Sequence, residues 1–108
     1  MGRKDDICKE GEDTALTEAE VKELLDGVPR WLLRDKAIER EFGFRNFAEA
    51  MEFVNRVAAL ATAEDHHPDI LISYNKVRLT LTTHKAGGLT CKDFILGAKI
   101  NIAEESGR

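Results

Sequence analysis

Apolar positions change their period several times between residues 17 and 104, and each change marks an element. Thr17 with Glu20 three residues on has the form of a capping box, the hydroxyl accepting a backbone N–H and the carboxylate reaching back. Val21, Leu24 and Leu25 follow at helical spacing, and Gly27 and Pro29 close the run, which predicts a short helix over 18–26. Trp31-Leu32-Leu33 and residues 37–44 read as two strands joined by a turn at Arg34-Asp35-Lys36. Arg40 is a polar intruder between Ile38 and Phe42 on one face of the second strand. Asn46, with Glu49 behind it, opens the longest periodic segment. Phe47, Ala50, Met51, Val54, Val57, Ala58 and Ala61 predict an amphipathic helix over 47–63.

Residues 70–74 and 77–82 then read as a hairpin around Asn75-Lys76. That loop would set 74 opposite 77, 72 opposite 79 and 70 opposite 81. It places Ile70, Ile72, Tyr74, Val77, Leu79 and Leu81 on one face, so register and hydrophobic pattern agree. Extending the count puts 67 opposite 84. Residues 85–89, with Gly87 and Gly88, read as a flexible loop without a phosphate-binding pattern. Thr90 caps a last helix reaching about 104, with Asp93 at its third position, where a carboxylate suits the positive helix end.

Length and composition bound the function classes. A chain of 108 residues with 43% hydrophobic content is one domain able to bury a core without metal or disulfides. Residues 1–13 are polar and charged and read as a disordered tail, leaving 14–108 as the domain. A net charge of −4, mixed in sign along the chain, argues against a nucleic-acid surface. No apolar run approaches the roughly 18–20 residues of a membrane span, and the start lacks the apolar stretch of a secretory signal. Gly2 does not open a myristoylation site, because position 6 is Asp6. Cys8 and Cys91 form no CxxC pair and read as two free thiols in a reducing cytosol.

The candidate chemistry is concentrated in one place. All three histidines, His66, His67 and His84, fall within nineteen residues, and Asp93 follows nine residues later. Histidine, with an unperturbed pKa of roughly 6.5, exchanges protons near neutrality. Pro68 disfavours helical geometry at His67, so the long helix ends at this corner, and the hairpin should return His84 beside it. Glu64 and Asp65 at the helix end read either as a solvated terminus or as a local field that favours a protonated imidazole. Three readings remain open on spacing alone: a zinc triad, structural histidines with satisfied nitrogens, and metal-free acid–base catalysis. Adjacent histidines and the lack of HExxH weigh against zinc.

The pattern His66-His67-Pro68, Tyr74, His84, Asp93 resembles that of the pterin-4a-carbinolamine dehydratase family. Flanking matches are Leu16-Thr17 with Glu20 and Leu24-Leu25, Trp31, Phe42-Gly43-Phe44, Tyr74-Asn75-Lys76-Val77, and Gly88-Leu89-Thr90 with Lys92-Asp93. The likeness spans residues 15–104. Three positions depart from the family's habit: Thr62 stands where a charged residue is common, Arg30 where glycine precedes the tryptophan, and Ile70 where an aromatic often follows the acidic residue. The resemblance implies an α+β fold, a four-stranded antiparallel sheet with helices on one face. It implies dehydration of 4a-hydroxytetrahydrobiopterin to quinonoid dihydrobiopterin, in recycling the cofactor of aromatic amino-acid hydroxylases, with no metal and no cofactor. By the same resemblance His66 and His84 are the acid–base pair, His67 and Pro68 hold the pterin, Asp93 supports the site and Trp31 lines it. It further implies a homodimer or homotetramer that is cytoplasmic, or shared between cytoplasm and nucleus. An alternative role is that of animal relatives, which act as dimerisation cofactors for a homeodomain transcription factor.

Overall fold

The computed structural model describes Cys8 and residues 14–107; most of the expected tail therefore lies outside the described residues. The elements are α1 (Glu18–Leu25), β1 (Leu32–Arg34), β2 (Ala37–Gly43), α2 (Phe47–Glu64), β3 (Asp69–Ser73), β4 (Lys76–Leu81), a 3-10 turn (His84–Ala86) and α3 (Cys91–Ser106). The expected order, helix and strand types, and approximate boundaries all hold. Both anticipated capping boxes form: Thr17 with Glu20 at α1, and Thr90 with Asp93 at α3. Asn46 caps α2 by accepting the Glu49 N–H at 2.9 Å.

The four strands form one antiparallel sheet in the order β1-β2-β4-β3. Period-two alternation gives it one buried face, built from Ile38, Arg40 and Phe42 of β2 and Val77, Leu79 and Leu81 of β4. Ala50, Phe53, Val54 and Val57 of α2 and Phe94, Leu96 and Ile100 of α3 complete the core. The intruding Arg40 is buried because its charge is met from α3. Its Nη1 donates to Asn101 Oδ1 at 2.5 Å, and its Nη2 lies 3.6 Å from Glu104. Its guanidinium also stacks 4.1 Å from the Phe42 ring centroid.

The hairpin corrects the expected register. Its two loop residues are Tyr74 and Asn75, so Ser73 opposes Lys76, Ile72 opposes Val77 and Ile70 opposes Leu79. Tyr74 takes a left-handed conformation (φ 54) and is 64% exposed, outside the core it was expected to join. Asn75 is tied to the end of β2: its Nδ2 donates to the Phe44 carbonyl at 2.9 Å, and its own carbonyl accepts the Phe44 N–H at 2.8 Å. That long-range clasp holds the turn one residue earlier than local turn preference indicated. The pairing slips by two, an even number, so Ile70 and Ile72 stay on the same face as Val77, Leu79 and Leu81, although only the β4 residues are buried.

A second correction concerns the cysteines. Cys8 and Cys91, expected as free thiols, form a disulfide across 83 residues, with Cα atoms 5.5 Å apart. The folded chain brings Cys8 against the first residue of α3, a proximity that sequence separation cannot disclose. Loop-closure entropy for such a span stabilises by about 4.5 kcal/mol at most. Reduction, or Cys8→Ser, is therefore expected to lower stability by about 2–4 kcal/mol in denaturant titrations, with the folded baseline retained.

Arg30, one of the departures noted above, has φ 75. A side chain there costs about 1–2 kcal/mol, partly offset by the extra unfolded-state freedom of glycine. Arg30→Gly is accordingly expected to raise stability by about 0.5–1 kcal/mol in equilibrium unfolding.

Candidate active site

The site is made where the end of α2, the end of β4 and the start of α3 converge. α2 stops in a left-handed residue, Asp65 (φ 53), a conformation aspartate tolerates better than most side chains. The Asp65 N–H reaches the Thr62 carbonyl at 3.2 Å, and the His66 N–H reaches Ala61 at 3.0 Å. This double bond pattern is a Schellman stop, and it reverses the chain so that the His66 ring turns inward. Glu64 forms an ion pair with Lys99 of α3. The acidic pair at the helix end is thus occupied with the helix stop and with docking to α3.

His66 Nε2 lies 2.5 Å from Asp93 Oδ1, and the two side chains are 10% and 0% exposed. Asp93 Oδ2 accepts the Thr90 N–H at 3.0 Å and the Thr83 hydroxyl at 2.9 Å. The Thr83 and Thr90 hydroxyl oxygens are 2.9 Å apart. Asp93 is therefore both the helix cap that the sequence indicated and the partner of a histidine 27 residues away. One carboxylate serves both purposes because its two oxygens face different elements.

His84 is exposed and opens the 3-10 turn directly after Thr83. The segment expected as a flexible glycine loop is closed at its base, Thr83 and Gly88 exchanging backbone bonds of 3.2 and 3.3 Å. Gly87 sits inside it at φ 77, where a side chain would be strained. The observed register also replaces the expected pairing of 67 with 84. Continued past the ladder, its count sets 66 opposite 83, and His66 and Thr83 do meet, each on one oxygen of Asp93. His67 is exposed beside this corner and Pro68 is half-buried.

Trp31 stands apart from these residues. It is 4% exposed, and its indole N–H donates to Asn101 Oδ1 at 2.8 Å. Asn101 lies eight residues beyond Asp93 on α3, about 12 Å along the helix at 1.5 Å per residue. Among the described residues, no three His, Cys, Asp or Glu side chains gather in a geometry that could hold a metal ion.

Thr83 is the residue that the sequence reading passed over. The inward alternation Val77, Leu79, Leu81 continues to position 83, so a threonine there is a hydroxyl aimed at the core. The pattern carries that signal, beside the more conspicuous His84.

Comparison with known proteins identifies the family. Residues 14–103 match the family model for pterin 4 alpha carbinolamine dehydratase. A relative from Picosynechococcus sp. is 55% identical over 83 residues, covering 77% of this chain and 90% of its own. One from Chloroflexus aurantiacus is 56% identical over 86 residues, covering 80% and 92%. Both carry the name pterin-4-alpha-carbinolamine dehydratase as a provisional assignment. The crystal structure of a transcriptional coactivator/pterin dehydratase from Brucella melitensis superposes with a TM-score of 0.80 at 37% identity, covering 83% of this chain and 98% of that one. By the family model over residues 14–103 and by relatives more than half identical to it, the chain belongs to the pterin-4a-carbinolamine dehydratase family.

Proposed function

We propose that the protein dehydrates 4a-hydroxytetrahydrobiopterin to quinonoid dihydrobiopterin and water, as a step in tetrahydrobiopterin recycling, by metal-free acid–base catalysis. The reaction removes a ring N–H proton and expels the 4a-hydroxyl as water, so it needs one group to take a proton and one to give it. The observation that carries the reading is the buried His66–Asp93 pair at 2.5 Å. A carboxylate on Nε2 selects the tautomer with its proton there and leaves the Nδ1 lone pair free for a substrate proton. His66 is the base in this reading. His84, exposed at the open side, exchanges protons with water and delivers one to the departing hydroxyl. His67 and Pro68 form the rim that orients the ring. Trp31 is left out, since its indole N–H is already bonded to Asn101.

The test is direct. Purified protein with no partner is mixed with freshly generated 4a-hydroxytetrahydrobiopterin, and the quinonoid product is followed by absorbance. The expected result is dehydration well above the spontaneous rate, unchanged by EDTA. A rate equal to the spontaneous one contradicts the activity. Loss on chelation, restored by zinc, contradicts the metal-free mechanism.

A further inference from the structure

We propose that Thr83 is a positioning residue, whose hydroxyl, ordered by Thr90, orients Asp93 and so holds His66 in the tautomer protonated at Nε2. The inference rests on the acid–base reading above for its link to rate, but its geometric part stands on the apo protein alone.

Position 83 is one where a hydroxyl is unexpected. Thr83 continues the inward alternation of β4, whose other members, Val77, Leu79 and Leu81, are all apolar and fully buried. Valine has nearly the same shape and would suit that pattern better. The α3 cap does not need Thr83 either: the Thr90 hydroxyl, the Thr90 N–H and the Asp93 carboxylate complete the capping box among themselves. A buried hydroxyl that neither the core pattern nor the cap requires has another role.

Proton counting identifies that role. A threonine hydroxyl carries one proton and accepts through its lone pairs. The Thr83 proton is committed to Asp93 Oδ2 at 2.9 Å, since a carboxylate can only accept. The 2.9 Å contact between the two hydroxyls then has a single direction, with Thr90 donating to Thr83. Thr90 in turn accepts the Lys92 N–H at 3.3 Å. Donors therefore run one way, from the Lys92 backbone through Thr90 and Thr83 to Asp93. With the Thr90 N–H also on Oδ2, that oxygen is held from two sides. The carboxylate is held against rotation, and among the described residues Oδ1 faces His66 Nε2. Hydrogen bonds to a charged acceptor are the strong ones, so the chain biases orientation more than neutral contacts of the same length would. Thr83 is also bonded through its peptide to His84. The Thr83 side chain thus holds the carboxylate behind one histidine, while its backbone, paired with Gly88, leads into the other.

The test compares wild type, Thr83→Val and Thr83→Ser as full-length protein. The imidazole nitrogens of His66 are read by 15N NMR without substrate, and dehydration rates are measured in parallel. Wild type and Thr83→Ser are expected to show the Nε2–H form. Thr83→Val is expected to show a mixture of tautomers and a rate about 10- to 100-fold lower, with Thr83→Ser recovering most of it. A wild-type His66 protonated at Nδ1 overturns the proposal even if Thr83→Val does not fold. So does a Thr83→Val protein with wild-type tautomer and rate, or a Thr83→Ser protein as impaired as the valine variant. The NMR readout needs no turnover, so a protein that shows the tautomer change yet never dehydrates the pterin contradicts the functional reading and upholds the positioning role.

Discussion

Replacing Asp93 by asparagine is expected to lower dehydration by about 1,000- to 10,000-fold while leaving a folded protein, a loss of the size seen when a carboxylate–histidine pair is neutralised in other enzymes. Asparagine keeps an oxygen that can accept from the Thr90 N–H and the Thr83 hydroxyl, so the α3 cap survives. The opposite end of the amide is then an NH2 group facing His66 Nε2 across what was a 2.5 Å contact. Two donors cannot share that line, so the imidazole must place its proton on Nδ1 and its lone pair on Nε2. The base then points at the protein and no longer at the substrate. Turnover measured beside thermal unfolding separates this effect from simple loss of structure. Asp93→Ala is expected to do more damage, because it leaves three buried donors facing a cavity, at about 1–3 kcal/mol for each one left unsatisfied.

The two histidines proposed to move protons, His66 and His84, are expected to respond alike in rate and differently in stability. His66→Ala and His84→Ala should each slow dehydration by about 100- to 10,000-fold, the range for losing a general acid or base. His66 is nearly buried and bonded to a carboxylate, so its removal exposes Asp93 to an unfilled space and costs about 1–3 kcal/mol. His84 is exposed, and its loss should change stability by less than about 0.5 kcal/mol. Denaturant titration of both variants checks the contrast. Near-normal turnover in both would remove histidine acid–base catalysis from the account.

How far the sequence discloses this molecule depends on the range of the interaction concerned. The helices are legible because their signals are local: Thr17 with Glu20, Asn46 with Glu49, and Thr90 with Asp93 each act within one turn. The shared apolar face of the hairpin strands is legible too, since a period of two survives an even slip in pairing. The register is not, because the turn is set by the bonds of Asn75 to Phe44, 31 residues earlier. The Cys8–Cys91 disulfide and the burial of Arg40 against Asn101 depend in the same way on contacts across 83 and 61 residues. At the site, the histidine window and the Asp93 cap are both visible in the chain, but not the bond between them. Asp93 satisfies its capping pattern fully, so nothing local signals that its second oxygen serves His66.

The central claim is that a pterin is dehydrated between His66 and His84, in front of Asp93. A crystal structure of the protein with a bound, non-reacting pterin tests it most directly. The account expects the ring to rest against His67 and Pro68, with the 4a carbon and its neighbouring ring nitrogen within about 4 Å of His66 Nδ1 and the His84 imidazole, close to hydrogen-bonding reach. It also expects Asp93 to remain on His66 Nε2. A pterin bound elsewhere on the protein, or bound here with His84 turned away from the 4a carbon, would contradict it.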